Sequence, residues 1–163
     1  FEQCEYATKW EASTRVMIPI VAESIYKGRL GEACGRFVLE QNGIAVADID
    51  DAFRFEKFDF VLPGTLGDQE VFIDFKHWKK QSDRMGWDSE KLVDWVFAKM
   101  EAIDAKKAIV ANVLPPDEGD YRETYRSKGG RRLLVVPALV KGDCSFDETV
   151  IQAIRRFTDG IAD

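Results

Sequence analysis

Apolar residues recur at helical spacing over residues 26–42 and predict a helix that ends at Gly43, a residue suited to a helix C-terminus. Three glycines lie in its interior, and each of them costs about 1 kcal/mol relative to alanine. That cost indicates that the helix lies close against a neighbouring element. Its expected buried face consists of Leu30, Ala33, Cys34, Phe37 and Val38.

Two further amphipathic helices are predicted towards the C-terminus. One begins at Asp88 or Ser89, either of which can serve as an N-cap, and ends near Ala105. The other begins at a capping box formed by Ser145 and Glu148 and ends near residue 158. Their expected buried residues are Leu92, Val93, Val96, Phe97, Met100 and Ile103 in the first helix, and Val150, Ile151, Ile154 and Phe157 in the second.

Four segments have the apolar, β-branched or aromatic composition of strands: residues 53–62, 70–78, 108–114 and 132–138. The first two are joined by turn-forming residues 63–69, so we expect them to pair in antiparallel. The order helix, strand, strand, helix, strand, strand, helix predicts an α/β fold, in which helices flank a mixed central sheet.

The remaining segments are predicted to be connections and a terminal extension. Residues 79–87 and 117–130 are polar and are predicted to form loops. Residues 1–27 mix charged residues with short apolar pieces, and we interpret them as an N-terminal helical extension or linker that precedes a domain over residues 28–163. The chain begins with Phe1 rather than Met, which suggests an excised or processed domain.

The composition is that of a globular protein, since 45% of the 163 residues are hydrophobic and 32% are charged. No apolar run approaches the roughly 20 residues of a membrane-spanning helix, and no secretory signal is present, so we expect a cytoplasmic protein without membrane contacts. The three cysteines contain no CxxC pair, which disfavours a zinc ribbon. The net charge of −6 argues mildly against binding of nucleic acid.

The segment Val-Phe-Ile-Asp-Phe-Lys at residues 71–76 contains the most informative pattern. Because side chains alternate between the faces of a strand, Asp74 and Lys76 share one face and the apolar residues at 71, 73 and 75 share the other. Burying an Asp and a Lys is costly unless they are paired. An ion pair at an exposed strand end is the simpler interpretation of this spacing alone.

Two more carboxylates favour a functional interpretation. The predicted hairpin brings Asp59 close to Asp74, and neighbouring carboxylates repel each other unless a cation lies between them. Glu32 lies in the glycine-containing helix, outside its main apolar stripe, and can reach the same cation. Oxygen ligands of this kind suit Mg²⁺ or Mn²⁺ better than Zn²⁺.

Glu32, Asp59 and the triplet Asp74-Phe75-Lys76 together resemble the PD-(D/E)xK nuclease superfamily, over roughly residues 28–158. The resemblance implies a restriction-endonuclease-like fold with an αβββαβ-type core. Phe58 departs from the proline of the family name, and the helix predicted near residues 88–105 has no clear Gln-x-x-x-Tyr signature. No subfamily is therefore assigned.

The resemblance also implies a role for each residue. Asp59 and Asp74 are expected to bind the divalent metal together with the carbonyl of Phe75, and Glu32 to bind it directly or through water. Lys76 is expected to position or polarise the attacking water and to offset charge on the phosphate. His77 is the single histidine of the chain. Nuclease and zinc-hydrolase classes whose sites need two histidines are therefore excluded.

Basic residues are concentrated in two segments that can contact nucleic acid. One of them also contains tryptophans, a combination that can stack on bases and hold phosphates. Local packing of the two tryptophans is an equally reasonable interpretation of the first segment, and an ordinary solvated loop is an equally reasonable interpretation of the second. The candidate nucleic-acid-binding residues are Lys79, Lys80 and Arg84 in the first segment, and Arg122, Arg126, Lys128, Arg131 and Arg132 in the second.

Three functional hypotheses follow. The favoured one is a metal-dependent nuclease (Mg²⁺ or Mn²⁺) that cuts DNA endonucleolytically. The second is an RNA-cleaving toxin domain of the tRNase type, and the third is an inactive nuclease fold that binds nucleic acid. Because the net charge is negative, we expect tight binding to need a homodimer, a partner domain or chain, or a shaped substrate. The sequence leaves substrate specificity open.

Overall fold

The computed structural model describes residues 19–64, 70–77, 89–115 and 122–160, with side chains described from Ile25 onward. None of the helices in these ranges is long and apolar enough to cross a membrane. In chain order the elements are α1 (Pro19–Gln41), α2 (Ala52–Phe55), β1 (Phe60–Leu62), β2 (Val71–Lys76), α3 (Glu90–Ala102), β3 (Lys107–Asn112), β4 (Thr124–Lys128), β5 (Arg131–Val136) and α4 (Glu148–Asp159).

The strands form one mixed sheet in the order β1, β2, β3, β5, β4. β2, β3 and β5 are parallel, whereas β1 and β4 pair in antiparallel at the two edges. α3 supplies the crossover that the parallel neighbours β2 and β3 require. The predicted α/β fold with a mixed sheet is therefore confirmed, and so is the antiparallel pairing of the first two strands.

A hydrophobic core lies on each face of the sheet. α1 and α4 pack on one face, and α3 packs on the other. The predicted buried residues of α3 and α4 are all buried, which confirms both amphipathic stripes. Burial of apolar area at about 25 cal/mol per Å² is the main force that holds such layers together.

α1 differs from its prediction in extent and in orientation. It extends back to Pro19, the first residue that the structure describes, rather than only to residue 26. Of its predicted buried face, Val38 is buried, but Leu30 and Phe37 are 41% and 57% exposed. Ala33 is exposed as well, and Cys34 is half-buried. The prediction was wrong for most of these residues because the helix faces the sheet with Gly31 and Gly35, and its larger apolar residues enter the core only near its end, at Val38 and Leu39.

The predicted strand over residues 53–62 was correct only at its end. Ala52–Phe55 forms a short helix, because the Asp51 side chain caps it by accepting a hydrogen bond from the backbone N–H of Arg54 at 2.8 Å. β1 is then limited to Phe60–Leu62. The apolar run that suggested a longer strand includes Phe53 and Phe55, both of which are exposed.

β4 lies within a segment that was predicted to be a loop. Its residues are mostly polar and exposed, so it lacks the alternation of a half-buried strand. Gly129 and Gly130 both have positive φ, at 57° and 77°, as a two-residue hairpin turn requires. The Gly-Gly pair was the available signal for this hairpin.

The start of α4 also differs from its prediction. The N-cap is Asp147, whose carboxylate accepts a hydrogen bond from the backbone N–H of Thr149. Ser145 instead donates through its hydroxyl to Asp143 at 2.6 Å and is part of the preceding turn. The predicted capping box of Ser145 and Glu148 is therefore wrong, although the helix that it predicted is present as α4.

Candidate active site at the carboxyl end of β2

β2 divides its side chains between the two cores as its alternation predicts. Val71, Ile73 and Phe75 belong to the core beneath α1 and α4, whereas Phe72 belongs to the core beneath α3. Asp74 and Lys76 therefore share the α3 face, at the carboxyl end of a strand with neighbours on both sides. The predicted pairing of the two residues on one face is confirmed.

Asp74 is the electrostatic centre of this site. It is only 3% exposed, and its two oxygens accept hydrogen bonds from the ammonium groups of Lys76 at 2.5 Å and Lys99 at 2.8 Å. Burial by itself would raise the pKa of Asp74, but the two ammonium groups outweigh burial and hold the pKa below its usual value. Asp74 is thus an ionised carboxylate inside the protein.

Lys99 was not identified from the sequence. It lies on α3 at the border of the apolar stripe, and its side chain is 12% exposed. Burial lowers the pKa of Lys99, and the charge and hydrogen bond of Asp74 offset that effect in part. Helical periodicity places Lys99 beside the stripe, but no local signal connects it with a residue that lies 25 positions earlier.

Trp95, one turn before Lys99 on α3, is a second residue that sequence analysis missed. The Nζ atoms of Lys99 and Lys76 lie 4.1 Å and 5.7 Å from the centroid of its ring system. Trp95 is nevertheless 40% exposed. The indole therefore borders both ammonium groups on one side of the site and reaches solvent as well.

Asp59 lies next to Asp74, as the hairpin prediction required. It directly precedes β1, and the pairing of Phe60 with Ile73 places Asp59 opposite Asp74. Its Oδ2 accepts a hydrogen bond from the backbone N–H of Phe75 at 2.7 Å. Burial, together with the negative charges of Asp74 and Glu32, raises the pKa of Asp59 to about 7.

Glu32 approaches this pair from α1, which covers the opposite face of the sheet. Its carboxylate accepts a hydrogen bond from Arg29 at 2.6 Å, and its charge acts on Asp59. Within the four described ranges, no group of three or more His, Cys, Asp or Glu side chains is placed to hold a metal ion. The structure thus brings Asp59 and Asp74 together, with Glu32 nearby and paired to Arg29.

Phe75 and His77 point away from the two lysines, towards α1. The backbone N–H of Phe75 contacts Asp59, and the role of the Phe75 carbonyl as a metal ligand, which the resemblance implies, stays a prediction. The Cβ of His77 would lie 3.2 Å from a Cβ built on Gly31. His77 therefore packs at the α1 side, as the alternation of the strand predicts.

The sheet separates two arginines of the second basic segment, because their side chains point to opposite faces. Arg131 and Arg132 are successive residues of β5 and face opposite sides: Arg131 pairs with Asp104 at 3.4 Å, and the Arg132 guanidinium lies 5.5 Å from the Phe157 ring centroid. Both lie at the start of β5, opposite the start of β3, whereas Lys76 pairs with the last residue of β3. These two arginines are therefore remote from Lys76 along the strands.

The other candidate nucleic-acid contacts have different positions. Lys128 forms an ion pair with Asp94 of α3 at 2.8 Å, and Arg126 lies 3.9 Å from Glu90. Arg122 precedes β4 and is nearer the end of the sheet where β5 finishes. Lys79, Lys80 and Arg84 lie outside the described residues.

Fold and site together define an α/β protein with a five-stranded mixed sheet and a buried carboxylate–lysine cluster at the carboxyl end of β2. Comparison with models of known protein families gives no match, and comparison with curated protein sequences gives none either. A functional assignment therefore depends on the chemistry of the cluster itself.

Proposed function

We propose that this protein is a divalent-metal-dependent nuclease with a restriction-endonuclease-like core, and that it hydrolyses phosphodiester bonds of DNA endonucleolytically. The observation that carries the proposal is the buried Asp74–Lys76 ion pair beside Asp59. Burying charged groups costs more than packing apolar ones, so charges held inside a fold with shifted pKa values are typical of functional sites.

A second D-x-K sequence in the same chain supports this argument by contrast. Asp104 and Lys106 form an ion pair of 2.7 Å, close in length to that of Asp74 and Lys76, but their side chains are 76% and 56% exposed. An exposed pair of this kind contributes little and needs no functional explanation. Burial, rather than spacing, distinguishes Asp74 and Lys76.

The donor groups suit Mg²⁺ or Mn²⁺. Asp59 and Asp74 offer carboxylate oxygens, and the raised pKa of Asp59 reflects burial and the negative charges of Asp74 and Glu32, an effect that a bound cation would oppose. These two aspartates would hold the ion, with Glu32 as an additional or water-mediated ligand. When bound, a divalent ion supplies stabilisation of phosphate charge and acidifies the attacking water.

Residues of the protein itself provide the remaining contributions to catalysis. Asp74 orients the ammonium of Lys76, which places a positive charge beside the two aspartates and is partly accessible to solvent. That charge offsets the negative charge that develops on the phosphate during attack. The backbone N–H of Phe75 keeps the Asp59 carboxylate oriented next to Asp74.

The test is incubation with duplex DNA, single-stranded DNA, branched DNA and tRNA, in Mn²⁺ or in EDTA. We expect cleavage of DNA in Mn²⁺ that EDTA stops. Lys76→Ala should abolish it, and Lys106→Ala, the lysine of the exposed pair, should leave it unchanged. Cleavage that persists in EDTA would contradict the metal requirement, and cleavage of tRNA alone would move the assignment to the RNA-cleaving alternative.

A further inference from the structure

Lys99 makes this site different from a single aspartate–lysine pair. One carboxylate, Asp74, accepts hydrogen bonds from two ammonium groups, one on each oxygen. An ammonium has three N–H donors, and each lysine directs one of them to Asp74. Both side chains are partly accessible, at 19% for Lys76 and 12% for Lys99. Two cationic groups thus converge at one end of β2.

Trp95 adds an aromatic surface to the same place. Its ring system contacts Lys99 at cation–π distance, with 4.1 Å between Nζ and the centroid, which helps to hold that ammonium in place. Trp95 is 40% exposed and does not belong to the buried residues of α3, so part of its ring system is accessible to a ligand. Aromatic rings beside cationic groups are a usual means of binding single-stranded nucleic acid, because the rings stack on bases and the cations contact phosphates.

We infer that Lys99 and Trp95 form a nucleotide-positioning face of this site. Lys99 contacts the phosphate group that Lys76 also faces, and Trp95 stacks on an adjacent base. The inference rests on the proposed function for its substrate class. It goes further in assigning to two residues of α3 the contacts that place the nucleic acid at Lys76.

Two variants separate the contributions of charge and stacking. Affinity for a fluorescent single-stranded oligonucleotide is measured in EDTA over a series of salt concentrations, so that no cleavage occurs. Lys99→Gln should weaken binding about tenfold and reduce the slope of log affinity against log salt by about 0.7, the value for one lost phosphate contact. Trp95→Leu should weaken binding about tenfold with an unchanged slope, because stacking does not release counterions.

Matched controls come from the same molecule. Lys106→Gln removes a lysine that also pairs with an aspartate, but at the start of β3. Phe37→Leu removes an exposed aromatic residue from another helix, α1. Both should bind like the unmodified protein, with the same salt slope.

The outcomes distinguish this inference from the proposed function. If Lys99→Gln has the affinity and slope of Lys106→Gln, the inference is wrong, even if Lys76→Ala still abolishes cleavage. If the protein binds as expected but cuts none of the substrates in Mn²⁺, the inference holds and the nuclease proposal fails. Should Lys99→Gln not fold, Trp95→Leu decides, because it retains both ion pairs: unchanged affinity would overturn the inference.

Discussion

Gly35 of α1 lies directly on the ring of Phe75 in β2, since a Cβ atom built on Gly35 would be only 2.4 Å from Cδ1 of that ring. One turn earlier, a Cβ atom built on Gly31 would lie 3.2 Å from the Cβ of His77, a less severe but still tight approach. These two contacts determine how near α1 comes to the carboxyl end of β2. They therefore also bring Glu32 within electrostatic range of Asp59.

Gly35→Ala should destabilise the protein, because the added methyl group must displace α1 or the Phe75 ring. Overpacking of this kind costs about 1–3 kcal/mol. Gly28→Ala, in the same helix, meets nothing within 4 Å and should stabilise the protein by up to about 1 kcal/mol. Urea unfolding of both variants measures the difference, and equal stabilities would show that α1 does not touch Phe75.

Asp59→Asn should stabilise the metal-free protein at pH 8 and have much less effect at pH 4. The folded-state pKa of Asp59 is raised from 3.8 to about 7, so the folded state favours the protonated carboxyl. Stability is therefore fully present below the unfolded pKa and is lost as the pH rises through about 7, by up to about 4 kcal/mol. Thermal unfolding in EDTA across this pH range measures the effect.

Asp104→Asn provides the control for this pH dependence. The hydrogen bond and charge of Lys106 lower the pKa of Asp104, so its ionised form favours the folded state. The substitution should give no gain in stability at pH 8. A similar gain in both variants would mean that relief of net negative charge, rather than the environment of Asp59, is responsible.

Mn²⁺ should raise the melting temperature more at pH 8 than at pH 5.5, because protons compete with the cation for Asp59. At a concentration of 100 times its Kd, a ligand stabilises the folded state by about 2.7 kcal/mol. The increase should disappear in Asp59→Asn and persist in Asp104→Asn. An equal increase in all three proteins would place the bound cation elsewhere.

Asp74→Asn should be strongly destabilising, because it leaves the Lys76 and Lys99 ammonium groups without their shared carboxylate. Removing one partner of a buried ion pair costs about 3–5 kcal/mol. Asp104→Asn breaks an exposed pair of the same spacing and should be close to neutral. If urea unfolding shows equal effects for the two variants, Asp74 is less buried or less charged than described.

Local pattern was sufficient to predict much of the fold. The stripes of α3 and α4 and the strands β2, β3 and β5 follow from periodicity and apolar composition, since a fully buried strand or an amphipathic helix leaves a direct mark on the sequence. β4 left no such mark, because it is an edge strand with mostly polar residues that pairs through its backbone. The capping of α2 by Asp51 likewise depends on one side chain rather than on a period.

Within the site, strand alternation by itself determined that Asp74 and Lys76 share a face, and the expected hairpin brought Asp59 beside them. Tertiary structure decided the rest. The sequence contains two D-x-K triplets, and only packing beneath α3 buries Asp74 and brings Lys99 and Trp95 next to its ion pair with Lys76. Side chains from distant segments meet only when helices are placed on the sheet, and that placement depends on close contacts such as Gly35 on Phe75, which no local period encodes.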